Sequence, residues 1–372
     1  MKSLSLYEVH KSLGAEFRES CGWSVPGNYN DKLSEYKTVR EGVGIADLSS
    51  RGKLRISGKD HIKFLQGMLS NDVMKLEEGK GVYATILTVK GRMITDMKVY
   101  KDSDSVLLDL EPGVNEKVSE LLTKFRLSYK APIDDLTETL GLISVQGPDS
   151  RKMLEMLLDE ALPQMNEYEF QKKEYGGSEL MIVYVNRTGE EGFDLYIKNN
   201  KLKHLWGELM KKGEALKIKP VGYDALNILR IESGMPIYNI DMDETNIPIE
   251  AGLWNALDFE KGCYVGQEVV ARIKWRGHVN RHLMGFACKD ERVLEAGNEI
   301  FKDEKKIGWV TSAVFSPKLN KPICLGYIRR EYKDPGTEVS IKCSDNTEIL
   351  AQVVDLPFYR GSFNSGENSA NT

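Results

Sequence analysis

The residues best suited to chemistry lie in one short stretch, Phe259-Glu260-Lys261-Gly262-Cys263-Tyr264-Val265-Gly266-Gln267-Glu268. Two glycines bracket a cysteine and an aromatic ring, and an amide and a carboxylate follow at once. Gly262 and Gly266 let the backbone approach another group closely. A cation at Lys261 lowers the pKa of a neighbouring thiol, and a turn leading into a helix start adds the helix dipole to the same effect. Cys263 then reads as a reactive thiolate. The same spacing also fits a small buried cysteine in a tight turn, and the pattern alone does not choose between the two. The next segment is Ala271 to His282. Read as an extended strand, it puts Arg272, Lys274, Arg276 and His278 on one face and Ile273, Trp275 and Val279 on the other. That arrangement is an anion site or a solvated strand over a buried aromatic face.

Other chemistries find no pattern. The five histidines are scattered with no metal-ligand spacing, and the five cysteines are odd in number with no C-x-x-C pair, so neither a zinc site nor a disulfide framework is expected. A G-x-G-x-x-G after a strand and a P-loop are both missing from the sequence. The acidic run Asp241 to Asn246 resembles a calcium loop for a few residues. Its sixth place is Asn246 rather than Gly and its twelfth is Gly252 rather than Glu, so it reads as a loop that lines a cavity. With 51 Lys+Arg against 56 Asp+Glu, a net charge of -5 and 41% hydrophobic residues, the 372-residue chain can bury a core and is a poor non-specific nucleic-acid binder. No run of about 18 apolar residues and no secretory signal is legible, so the expectation is a cytoplasmic protein without a membrane partner.

These residues need elements to hold them. The spacing predicts a helix from Leu4 to Glu19, a loop at Gly22 to Tyr29 and a second helix from Asp31 to Glu41. It then predicts a strand at Lys53 to Ser57, a helix at Lys59 to Leu69, and a hairpin of Tyr83 to Thr88 and Met93 to Tyr100 joined by Lys90-Gly91. A third strand at Ser105 to Asp109 and an amphipathic helix at Asn115 to Phe125 complete an antiparallel sheet backed by helices. A similar order returns after Leu140: strand Gly141 to Gln146, helix Ser150 to Leu157, strands near Leu180 to Val185 and Gly192 to Ile197, and helix Leu202 to Lys211. Beyond Arg281, short alternating strands with frequent turns suggest a small all-β domain, and Ser365 to Thr372 reads as a frayed tail. The fold class is α+β.

Lys261-Gly-Cys-Tyr-Val-Gly-Gln-Glu268 resembles the signature of the YgfZ-type folate-binding proteins. The chain as a whole resembles the wider family that contains them, the aminomethyltransferases (T-proteins) of the glycine cleavage system. Supporting segments are Phe17 with Cys21-Gly22-Trp23, Val39-Arg40 through Ser49, Leu69 through Asp72, Gly147-Pro148, Thr188 through Phe193, Arg230-Ile231-Glu232 with Met235-Pro236, and Pro357 through Ser362. The resemblance implies a three-domain cloverleaf around a central opening that holds tetrahydrofolate. Residues 1–280 form the folate-binding region, as two interleaved α+β domains with the second at about 50–135, and residues 281–372 form a C-terminal β-barrel.

The same resemblance implies the site. Asp96 matches the second of two adjacent family aspartates, beside the folate nitrogens, and Thr95 replaces the first. A carboxylate there can orient an amine and take a proton as a one-carbon unit moves. Tyr83 matches a tyrosine of the folate cavity, and Asp194 stands where a glutamate reads the donor edge of the pterin. Arg187 replaces a family tyrosine, and Leu226 a family arginine. The basic segment would meet the folate's polyglutamate tail, a lipoyl carrier's acidic surface or RNA. Two functions follow. One is a YgfZ-type protein that binds tetrahydrofolate and supports iron-sulfur client proteins, with Cys263 as the working thiol, Lys261 tuning it and Gln267 and Glu268 holding the loop. The other is an enzyme, an aminomethyltransferase-like one-carbon transferase with Asp96 central. The cysteine motif, Thr95, Arg187 and Leu226 favour the first; Asp96, the length and the complete C-terminal region keep the second.

Overall fold

The computed structural model describes residues 1–363, so the tail Ser365 to Thr372 lies outside the described residues. Four sheets organise the described residues. Five strands in the order Lys80–Leu87, Met93–Lys101, Ser105–Leu110, Gly52–Ser57 and Ile133–Asp135 form one sheet, and its first two strands are the expected hairpin, with Gly91 turning at φ 70°. Ala84, Ile86, Met97, Val99, Leu108, Leu54 and Ile56 point to one face of this sheet. There they pack with Phe64 and Leu65 of helix His61–Met68 and with Val118 and Leu122 of helix Asn115–Arg126.

A six-stranded sheet runs Phe170–Tyr175, Ser178–Tyr184, Gly192–Lys198, Leu140–Gln146, Gly44–Asp47, Lys219–Pro220. Its helix side buries Phe193, Leu195, Ile143 and Val145 against helices Ser150–Leu158 and Asn199–Lys212. Its other side meets the five-stranded sheet: Tyr196, Leu142 and Val183 cluster with Tyr100 and Leu107. Alternate residues of the central strands therefore enter a helix-backed core or a seam between two sheets, which is why these strands are apolar on both faces. The last sheet is a closed six-stranded barrel built from Arg281–Cys288 to Glu348–Val354, filled by Phe286, Val310, Ile328, Ile341 and Val353.

Two expectations are corrected. Only Tyr7–Ser12 is helical near the start; Glu16–Ser20 is a strand that pairs with Trp23–Asn28, the stretch read as a loop. Cys21 and Gly22, at φ 48° and 83°, supply the two left-handed residues that a tight hairpin turn requires. The basic segment is also no strand: Gln267–Arg276 is a helix that starts at Gly266. Charges at every second position satisfy a helix equally, since Glu268 and Arg272 pair at i,i+4 while Val270 and Ile273 pack on the core. Arg272 and Arg276 share a helix face at i,i+4, Lys274 lies on another, His278 falls beyond the helix, and Trp275 is exposed rather than buried.

Candidate functional site

The seam between the two sheets holds a cluster of charged side chains. In the five-stranded sheet, register places Tyr83 opposite Lys98, Lys98 opposite Asp109, and Asp109 opposite Lys53, with Thr85 and Asp96 forming the adjacent row. Residues two apart on a strand share a face, so Asp96 and Lys98 both point into the seam while Thr95 turns to the core and donates its hydroxyl to the Asp96 carbonyl at 3.0 Å.

Tyr83 donates its hydroxyl to Asp96 Oδ2 at 2.6 Å. Asp96 Oδ1 is buried and has no partner among the described residues. Burial and the nearby Glu111 carboxylate push the Asp96 carboxyl up to about 6, against the pull of Tyr83, Lys98 and Arg51. Asp109 behaves oppositely. Burial alone would raise it, but Arg51 Nε at 2.6 Å, Arg187 Nη2 at 2.9 Å and Lys98 Nζ at 4.0 Å hold its carboxyl well below the usual carboxylate range. Arg51 also donates to Glu111 at 2.6 Å, and it holds that carboxyl low despite burial. Burial, with Arg187 and Arg51 close by, brings the Lys98 ammonium down to about 8.

Arg187 grips Asp194 with Nε at 3.0 and 2.9 Å from its two oxygens and Nη2 at 2.5 Å from Oδ2. Two neighbouring tyrosine hydroxyls, of Tyr100 and Tyr196, are buried without a hydrogen-bond partner among the described residues. Asp96 with Tyr83 and Arg187 with Asp194, four of the sequence-predicted site residues, thus form two hydrogen-bonded pairs in the same seam, linked electrostatically through Lys98, Arg51 and Glu111. Leu226, on helix Tyr223–Glu232, contributes only packing, against the seam cluster on one side and the cluster that joins this helix to the barrel on the other.

The cysteine motif lies elsewhere, and its expected wiring is corrected. Lys261 does not tune the thiol: its ammonium is buried and donates to the carbonyls of Gln66, Leu69 and Asn71 at 2.9, 2.7 and 2.8 Å. That burial lowers it to about 8. Cys263 is exposed, which removes the reading of it as a buried hydrophobe. Gln267 reaches only the Lys261 carbonyl, at 3.4 Å, and Glu268 pairs outward with Arg272. What the motif does touch is the tip of the hairpin that carries Asp96. Gly266, at φ 85°, lies so close that a Cβ would sit 2.5 Å from the Thr88 carbonyl oxygen and 2.9 Å from Leu87 Cβ. A glycine is needed there for both reasons.

The supporting segments of the sequence also converge. Arg40 donates to Glu190 at 2.9 Å, to Glu232 at 2.5 Å and to the Thr188 carbonyl at 2.8 Å. Glu232 further accepts from Tyr36 and from Ser316 of the barrel, while Ser362 donates to Glu190. The acidic run read as a loop is likewise structural: Asp241 is buried against Arg230 at 2.5 Å and Thr311 at 2.6 Å, tying it to the barrel.

Sequence reasoning missed Lys98, Asp109, Glu111, Arg51 and Tyr168. Lys98 had a signal, its period-two spacing from Asp96 in a strand. Tyr168 had none: it stands at φ 69°, a conformation rare for a bulky residue, and its electrostatic neighbours include Glu167, Arg187 and Asp96.

Comparison with known proteins places this architecture. Residues 6–261 match the GCVT N-terminal domain, and residues 281–360 match the glycine cleavage T-protein C-terminal barrel domain. An aminomethyltransferase of Thermosipho melanesiensis is 34% identical over 368 residues, covering 98% of this chain and 99% of that protein. One from Caldanaerobacter subterraneus subsp. tengcongensis is 32% identical over 365 residues, covering 98% and 97%. The crystal structure of glycine cleavage system aminomethyltransferase T from Bartonella henselae superimposes with a TM-score of 0.90 at 25% identity, covering 97% of this chain and 99% of that one. Two helix-backed sheets packed on a barrel, with both domain matches running nearly end to end, lead to one conclusion: the chain belongs to the aminomethyltransferase (glycine cleavage T-protein) family.

Proposed function

We propose that this chain is a tetrahydrofolate-dependent one-carbon transferase that passes an aminomethyl or methyl group from a carrier, such as a lipoyl protein, to a folate nitrogen. The observation that carries this reading is Asp96. Its Oδ2 is fixed by Tyr83 and its Oδ1 is buried and free, so a ligand N–H supplies the missing partner. Tetrahydrofolate, when bound, supplies the nitrogen that accepts the carbon. Asp96 orients that nitrogen and takes the proton it sheds; a carboxyl near 6 is ionised at neutral pH yet still a useful base. The fit is uneven: the reacting end has its acid, while Asp194, the acid expected to read the pterin's donor edge, is occupied by Arg187.

Calorimetry with tetrahydrofolate, followed by a transfer assay with an aminomethyl-loaded lipoyl carrier, tests this. Binding with transfer is expected; absence of binding would overturn the reading.

A second reading, a YgfZ-type folate-binding protein that supports iron-sulfur clients, rests on the exposure of Cys263 in its glycine-bracketed motif. It predicts folate binding without transfer and a deletion strain that Cys263→Ser fails to rescue. Full rescue by the serine variant would end it.

A further inference from the structure

Lys98 is the one charged group lining the Asp96 row whose side chain makes no hydrogen bond among the described residues. Its partner in charge, Asp109 Oδ2, lies 4.0 Å away and already accepts from Arg187 at 2.9 Å, while Asp109 Oδ1 accepts from Arg51. The lysine side chain is only 13% exposed. A buried ammonium carries three donors, and leaving them unmade costs more than a neutral group would. Tyr83 stands directly across from Lys98 on the next strand. Asp96 is two residues back on the same face, roughly 7 Å along the strand. The unpartnered acceptor of the seam, Asp96 Oδ1, thus lies near Lys98 Nζ, a cation that ion-pairs with Asp109 at 4.0 Å but has no hydrogen bond among the described residues. Meanwhile both oxygens of Asp194 are spent on Arg187. The recognition chemistry left open beside Asp96 is that of a donor rather than a second acid.

Resting on the function proposed above, we infer that Lys98 binds the reduced folate by donating to one of its oxygen acceptors, and so orients it toward Asp96 in place of Asp194. A folate offers three kinds of such oxygen, the ring carbonyl, the aminobenzoyl amide carbonyl and the glutamate carboxylates, and an ammonium serves any of them. Lys98 acts as a positioning residue; it takes no part in bond making.

The test uses the full chain and three variants: Lys98→Gln, Lys98→Met as a second uncharged replacement, and Lys98→Arg. Binding of tetrahydrofolate and of 6-methyltetrahydropterin, which lacks the aminobenzoyl-glutamate tail, is measured by calorimetry beside the thermal unfolding midpoint. The uncharged variants are expected to lose roughly 10- to 100-fold in tetrahydrofolate affinity, the worth of one hydrogen bond to a charged group, and Lys98→Arg to recover much of it. Loss for both ligands assigns the ring carbonyl; loss for tetrahydrofolate alone assigns an oxygen of the aminobenzoyl-glutamate tail. A role only as counter-ion to Asp109 would lower the unfolding midpoint and leave both affinities unchanged, and that result overturns the inference. A wild-type protein that binds no tetrahydrofolate removes the proposed function and this inference together, whereas tight wild-type binding with unaltered variants removes this inference alone.

Discussion

Tyr83 and Asp96 face each other diagonally across the hairpin Lys80–Leu87 and Met93–Lys101, the phenol donating to one carboxylate oxygen at 2.6 Å and leaving the other to the seam. Two opposed influences set the acid's strength. Burial and Glu111 weaken it, while the phenol's hydrogen bond, Lys98 and Arg51 strengthen it. The balance pushes this carboxyl up to about 6, whereas two other seam carboxylates, Asp109 and Glu111, are held low by arginine.

Asp96→Asn should retain the fold and lower one-carbon transfer by about 10²-fold or more, the usual scale for a positioned acid-base group. Wild-type transfer should rise with pH through about 6 as the carboxyl ionises. The stability effect has the opposite sign. The folded value lies above the unfolded one, so the contribution of Asp96 is fully present below the unfolded pKa and is lost as pH rises through about 6. Asn at this position should therefore stabilise at neutral pH, by on the order of 2 kcal/mol, with little effect in acid. Denaturant melts at both pH values measure this.

Tyr83→Phe removes a donor that favours the ionised acid. The acidic limb of the transfer profile should move up by about one pH unit, since a hydrogen bond to a charged group is worth roughly that much. A profile with an unmoved limb would show that the phenol does not set the acid's strength.

Arg187→Met should destabilise the protein by about 3–5 kcal/mol, because it strips the buried Asp194 and Asp109 of a shared cation. The double variant with Asp194→Asn should recover part of this loss. The coupling is read from a double-mutant cycle by chemical denaturation.

Lys261→Met leaves the carbonyls of Gln66, Leu69 and Asn71 without their common donor and should cost about 1–3 kcal/mol. Hydrogen exchange should quicken around residues 66–71 and 261–266, and the rate of Cys263 alkylation at fixed pH should stay within about threefold, because the Lys261 ammonium is spent on those carbonyls.

Much of this protein was determined by local sequence. The hairpin around Lys90-Gly91, the strand and helix order of both sheets, the capped helix Lys32–Glu41 and the β-rich end all follow from spacing and turn residues that act over a few positions. Asp96 and Tyr83 were legible through the family resemblance, and the register of the predicted hairpin is what brings them together. Tertiary structure alone decided the rest. Whether Gln267–Arg276 is strand or helix depended on which side Val270 and Ile273 could bury, since alternate charges fit both. Lys261 was drawn from the thiol beside it to three carbonyls nearly two hundred residues away, because a buried ammonium seeks acceptors wherever the fold supplies them. In the seam cluster, strand pairing within one sheet sets Arg51 and Lys98 beside Asp109, and the second sheet packed against it brings in Arg187. Pairing across that seam, rather than residue type, committed Asp194 to Arg187 and left Asp96 and Lys98 open.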